Sequence, residues 1–279
     1  WEEGYRIDTD KNQDGQREYQ TGTLYGRHFR VFADSMRKAA AEVGSDIKIG
    51  AVGYWGILYS GSRAQWNRQM IPECGSVCDF VSIHHYFSGS GADGILQTAY
   101  TMQEGPDQIY KWFDQASIPR VPVALTEWNL NKDISKPDCL NGMHAVIGLK
   151  NLVNSGIGMA SRWNLVWSYN DGLTHGHFSN NRDNAVEGNS VWGPRATFYY
   201  FYYARRFLGD MMLRDTILGS DEIEAMATTY ASGQVGLVLV NKGEQTENVS
   251  VDLSHYIPGS RYYWYELRGE DGNPFSEKV

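Results

Sequence analysis

The sequence predicts an α/β protein: half of a (β/α)8 barrel over residues 1–209, followed by an antiparallel all-β module over 210–279. Three observations carry this. Strand candidates near 47, 79, 121 and 157 alternate with helical patterns, which implies crossover connections and parallel strands. The strands end in polar and aromatic residues, as they do where an α/β fold presents reactive groups at the carboxyl ends of its strands. After Gly209 the helices stop, and short strand candidates separated by Gly, Asn, Asp or Ser turns take over. A small doubly wound sheet is the alternative architecture for the first part.

Residues 1–20 are polar and lack any period, and Asp10, Asn12, Asp14 and Gly15 match the opening of a calcium loop. The twelfth position of that loop is Thr21 rather than the bidentate Glu of the full motif, so a solvated turn is the simpler reading and a structural calcium the alternative. Between Tyr25 and Val43, Phe29, Phe32, Ala33, Met36 and Ala40 recur at helical spacing, with Gly44 as a stop. Ile47–Val52 reads as a strand, residues 57–76 as loop plus a short helix, and 78–87 as a second strand. A helix is expected within 95–116. The third strand, 121–126, is a short apolar run that delivers Glu127 between Thr126 and Trp128.

A helix over 143–155 and a fourth strand over about 157–167 follow. That strand carries Arg162, Trp163, Asn164 and Trp167 at or near its end. Residues 168–192 form a long Gly/Asn/Asp/His-rich loop, a length that is usually functional in a compact protein. An aromatic helix is expected over 194–208. The strands of the last module are placed at 211–217, 222–231, 234–241, 246–253 and 261–267.

Composition narrows the function classes. The net charge of −8, with no lysine-rich run, argues against nucleic acid as a partner. No stretch approaches the length of apolar sequence that spans a bilayer. Nine Trp and eighteen Tyr exceed what a core requires, and surplus rings often line a groove for flat-faced ligands. Of the three cysteines, Cys74 and Cys78 are spaced either to pair across a short loop, as in an exported protein, or to be two buried thiols.

Several chemistries are poorly matched. Gly-x-Ser-x-Gly, Gly-x-Gly-x-x-Gly and the phosphate-loop lysine signature are all absent, and no third ligand accompanies the histidines as a metal site needs. Glu127 suits cleavage of a glycosidic bond, which requires two carboxylates. Strand alternation places His84 and Tyr86 on one face, where they can orient Glu127, and His85 on the other, where a satisfied core histidine is the competing reading. Trp163 and Trp167 are candidate floors under a sugar ring, or barrel packing. Asp171, Asp183 and Glu187 are candidates for substrate contacts, and His175 and His177 for hydrogen bonds to ligand hydroxyls or an anionic group. Asp79, at the start of its strand, reads as structural.

Residues 80–87, 123–129 and 159–169 resemble the last three strands of the retaining glycoside hydrolases with (β/α)8 barrels. The similarity is closest to the β-agarase and β-porphyranase group, with α-L-arabinofuranosidase and β-xylosidase relatives. The resemblance implies that Glu127, in Leu-Thr-Glu-Trp-Asn, is the nucleophile. It aligns His84 to Tyr86 with the His/Tyr pair ending strand 6, and Trp163 or Trp167 with the Trp ending strand 8; His84, His85, Tyr86, and Trp128 and Asn129 flanking Glu127, are candidate substrate-binding residues. It also implies a β-sandwich for the C-terminal module, no cofactor, and a polysaccharide or oligosaccharide substrate, red-algal galactan first. Secretion or a periplasmic or cell-surface location is expected with it.

The family acid/base is the Glu of an Asn-Glu pair ending strand 4, and no such pair occurs here; Glu2 and Glu3 lack a preceding strand. The resemblance thus implies that residues 1–209 are the C-terminal part of the barrel, and the missing N-terminal half, with the acid/base, is expected upstream of Trp1. The rival from another class is a non-catalytic carbohydrate-binding protein that uses the aromatic groove.

Overall fold

The computed structural model describes residues 21–55, 62–131, 138–166, 175–178, 192–214, 219–256, 259, 261–270 and 273–278. The chain divides into two compact units. The first comprises Trp1–Tyr86, Thr101–Trp128 and Leu152–Arg162, and the second Phe87–Tyr100, Asn129–Asn151 and Trp163–Val279.

The first unit opens with α1 (Gly22–Glu42), capped by the Thr21 hydroxyl, which accepts from the Leu24 N–H. Gly44, at φ +69°, ends the helix region in the left-handed conformation that glycine adopts without strain. The buried face of α1 is Tyr25, Gly26, Phe29 and Ala33, and it packs on α2 (Ser62–Cys74). Phe32 and Met36, expected on that face, are exposed instead. Their spacing from Phe29 is helical, but helical spacing alone does not place a residue on the packed face.

The strands β1 (Gly50–Val52), β2 (Phe80–Phe87), β3 (Val123–Leu130) and β4 (Met159–Arg162) form one sheet in the order β1-β2-β3-β4. β1 and β2 pair parallel, as do β3 and β4. Val81 N–H bonds to Pro122 C=O and Asn131 N–H to Phe87 C=O, so β2 and β3 also ascend together. Sequence order and spatial order therefore coincide, as successive crossovers in one sense require. The expected mixed α/β fold with a parallel sheet is observed. Ala51, Val81, Ile83 and Leu125 from the strands, with Met70, Ile71, Ile109 and Phe113 from the helices, form the buried core of this unit. The helix expected within 95–116 is two helices, α3 (Gly91–Thr98) and α4 (Glu104–Gln115), separated by a single 3-10 turn.

In the second unit, α5 (Asp138–Asn154) contributes Val146, α6 (Ala196–Phe207) contributes Ala204, and Met226 completes a small core. Met226 lies on β6 (Ile223–Thr229), the middle strand of an antiparallel sheet with β5 (Met211–Met212) and β7 (Val235–Asn241). Glu224 of β6 is tied to Lys150 of α5 at 2.5 Å and to the Tyr100 hydroxyl at 2.6 Å. A separate antiparallel pair, β8 (Glu266–Glu270) and β9 (Asn273–Lys278), follows.

The strand expected over 246–253 does not form. Val249, Val251 and Leu253 alternate, but all are exposed, and an alternating pattern becomes a strand only where its apolar face is packed. The described antiparallel sheets thus have three and two strands. No helix among the described residues is long and apolar enough to cross a membrane. Cys74 and Cys78 are buried free thiols, which decides between the two readings of their spacing.

Candidate active site

β2 alternates strictly between half-buried and buried residues. Ser82, His84 and Tyr86 share the more open face, while Val81, Ile83, His85 and Phe87 face the packed side. β3 breaks this rule. Its burial runs buried for three residues, half-buried at Thr126 and Glu127, then buried again. β3 continues through Leu130, so Glu127 lies within the strand and not at its end.

The structure brings three of the expected residues together. The Tyr86 hydroxyl donates to Glu127 Oε2 at 2.9 Å, and His84 Nδ1 lies 3.4 Å from the same oxygen. All three side chains are carried on adjacent strands, so the carboxylate is held without any flexible loop. A half-exposed carboxylate with one oxygen committed to a phenol retains its second oxygen for a substrate, which suits a nucleophile or a base.

His85 is absent from this cluster. Its ring stacks on Trp55 with centroids 4.3 Å apart and planes 9° from parallel. Burial pushes its imidazole down to about 4, because the charged form loses its hydration. Trp55 is positioned in turn by the residue before it. Tyr54 N–H donates to Asn67 Oδ1 at 2.8 Å, and Asn67 Nδ2 donates to Tyr54 C=O at 2.6 Å, so one buried amide satisfies both backbone groups. Val52 N–H donates to the Tyr25 hydroxyl, and Trp66 Nε1–H to Val52 C=O. Burial raises Tyr25 to about 12, so it remains the neutral phenol. Tyr54 and Trp55 follow the first strand in the sequence, where the strand-end rule points at them, whereas Asn67 carries no such signal.

Trp128 and Asn129 are buried. Trp128 is 1% exposed, with the Arg162 guanidinium 5.9 Å over its ring, and Asn129 is fully buried. In the second unit the Asn129 amide donates to the backbone carbonyls of Trp163 and, at 3.4 Å, His175, while its Oδ1 accepts from Leu130 N–H. His175 is buried too. Its Nε2 lies 2.7 Å from Leu130 C=O, and since a carbonyl only accepts, Nε2 carries the proton. His177 packs edge-on against Phe201 at 5.1 Å and bonds through its backbone to Asn164 and Leu165.

Trp128, Asn129 and His175 thus make internal contacts in the described structure. Trp163 is half-buried, with its backbone held by Asn129. Trp167, Asp171, Asp183, Glu187, Glu2, Glu3 and the Asp10–Asp14 stretch lie outside the described residues. Asp79 has the structural role its position predicts: it accepts from Ile49 N–H at 2.7 Å and Arg37 at 2.8 Å, which hold its carboxyl below the usual range. Among the described residues no group of three or more His, Cys, Asp or Glu is placed to hold a metal ion.

No family model matches the sequence, and no curated protein matches it. Solved structures do. An α-L-arabinofuranosidase from Thermotoga maritima, in complex with arabinose, aligns with 84% of this chain and 50% of its own at 19% identity and a TM-score of 0.59. A family 51 α-L-arabinofuranosidase from Bifidobacterium longum aligns with 98% of this chain and 60% of its own at 18% identity and a TM-score of 0.62. A glucosidase from Croceicoccus marinus aligns with 83% of this chain and 46% of its own at 13% identity and a TM-score of 0.57. At these identities the likeness is one of fold. The chain spans about half the length of the solved structures it matches.

Proposed function

We propose that this chain carries the nucleophile-bearing part of a retaining glycoside hydrolase. The observation that carries the reading is Glu127, set within a parallel strand and hydrogen-bonded by Tyr86, in a fold shared with enzymes that cleave glycosides. Glu127 attacks the anomeric carbon while the bond to the leaving oxygen breaks and a second carboxyl group protonates that oxygen. Water then attacks the glycosyl ester, the second group takes the water proton, and Glu127 is released. The two carboxyl groups of a retaining pair stand roughly 5–5.5 Å apart. We assign the second one to the remaining half of a (β/α)8 barrel in a longer protein.

Trp163 or Trp167 is the proposed floor for a sugar, from the place of both near the end of the fourth strand in the sequence. α-L-Arabinofuranosides come first in a substrate panel because matched structures include arabinofuranosidases. Agar-type galactan and β-xylosides follow from the sequence resemblance. A polymer of this kind is met outside the cell, so export is part of the proposal, as is a C-terminal β-sandwich for residues 210–279.

The test is Glu127→Gln in the hydrolysing protein. Hydrolysis falls by at least about 10³-fold while oligosaccharide binding is retained. Unchanged hydrolysis rules Glu127 out as nucleophile. The exposed Tyr262, Tyr263 and Trp264 favour a second reading, a carbohydrate-binding protein without catalysis. That reading gains if the protein binds oligosaccharides but hydrolyses none of the panel.

A further inference from the structure

Thr126 and Glu127 are consecutive, and a regular strand turns consecutive side chains to opposite faces. Here both are half-buried, between buried neighbours on either side. β3 pairs Leu125 with Ala160 and Trp128 with Arg162 of β4, so two residues of β3, Thr126 and Glu127, stand against the single residue Ser161. A bulge of this kind re-aims the side chain it carries.

On the other flank the bulge is pinned by hydroxyl groups. Thr126 Oγ1 lies 2.6 Å from Ser82 Oγ of β2 and donates to Ile83 C=O at 3.5 Å. Each hydroxyl has one proton to give, so Ser82 donates to Thr126 and Thr126 donates onward to the backbone. Ser82 shares its face of β2 with His84 and Tyr86, the two residues that reach Glu127. The same face thus bears two successive rungs between β2 and β3, first Ser82 to Thr126, then His84 and Tyr86 to Glu127.

We propose that Ser82 and Thr126 are positioning residues that fix the direction of the Glu127 carboxylate by locking the first residue of the bulge. The inference rests on the reading of Glu127 as nucleophile, and it adds the device that aims it. Threonine fits the task because its branched Cβ restricts χ1, so the hydroxyl is held where Ser82 meets it. Without the hydroxyl pair the bulge relaxes towards regular alternation, and the residue that swings is Glu127.

The experiment compares Thr126→Val, which exchanges the hydroxyl for a methyl of the same shape, with Thr126→Ser and Ser82→Ala in the hydrolysing protein. A misplaced reacting group costs up to about 10²-fold, so kcat is expected to fall about 10- to 10²-fold in Thr126→Val and Ser82→Ala, with KM changed less than about twofold. Thr126→Ser restores kcat to within about threefold of the parent, since the hydroxyl returns. In parallel, the 13C resonance of the Glu127 carboxyl carbon, assigned by its loss in Glu127→Gln, moves in Thr126→Val and Ser82→Ala and returns in Thr126→Ser.

Parental kcat and an unmoved resonance in both Thr126→Val and Ser82→Ala overturn the inference, and so does a Thr126→Ser variant that behaves like Thr126→Val. The two readings separate cleanly. A resonance that moves while Glu127→Gln still hydrolyses supports the positioning role and overturns the nucleophile. An inactive Glu127→Gln with an unmoved resonance does the reverse.

Discussion

Glu127 is held by contacts of unequal strength. The Tyr86 hydrogen bond, at 2.9 Å to a carboxylate, is the shorter, and bonds to charged groups contribute about 1.5–3 kcal/mol. Tyr86→Phe is therefore expected to lower kcat/KM by about 10- to 10²-fold, and steady-state kinetics on the best substrate of the panel checks it. His85 yields a prediction about stability. Its folded imidazole sits at about 4, whereas an unfolded chain takes up that proton near pH 6.5. The unfolded state therefore gains protons first as pH falls. Above about pH 6.5 the residue makes no difference, and between there and 4 it costs up to about 3 kcal/mol of stability. Denaturant unfolding at pH 7 and 4.5 should show that the parent loses more than His85→Gln, and equal losses would contradict it.

At this scale the sequence was informative where a period of two decides the outcome. The facing of His84 and Tyr86, and the separation of His85 from them, follow from alternation alone. Trp128, Asn129 and His175 were not legible. Whether a polar or aromatic residue beside a site meets ligand or backbone depends on which segments cover it, and no local pattern records that.

Among the described residues before 209 the elements were legible in order and type, save that the one helix expected within 95–116 is two, because hydrophobic periodicity survives packing. Their edges were not. β3 extends past Glu127 because Trp128, Asn129 and Leu130 are all buried, although the polar Glu127 and Asn129 end the apolar run in the sequence. The bulge was equally invisible, since it is defined by partners on neighbouring strands. The α1–α2 contact shows a similar dependence. A Cβ at Gly26 would lie 2.6 Å from Glu73 Cβ and 3.0 Å from Met70 C=O. Gly26→Leu adds a helix former, a gain of up to about 1 kcal/mol, but overpacks the contact at a cost of about 1–3 kcal/mol. The larger effect is against backbone that cannot move aside, so thermal unfolding should show a lower midpoint. A midpoint equal to the parent's would mean that the helices separate at little cost.

For the molecule as a whole, the parallel sheet carries Glu127, and the solved structures that share the fold include arabinofuranosidases and a glucosidase. The C-terminal module was the least legible part. Alternation at Val249, Val251 and Leu253 reads as a strand, yet those residues remain exposed in the described chain. The central claim is that Glu127 forms a covalent bond to the sugar, and it is tested most directly by trapping that bond. The hydrolysing protein is incubated with an activated 2-deoxy-2-fluoro glycoside of its preferred sugar, which slows release of the intermediate, and its peptides are then mapped by mass spectrometry. One added glycosyl unit is expected, on the peptide that contains Glu127. A label on another carboxylate, or a product of inverted anomeric configuration with no label at all, would contradict it.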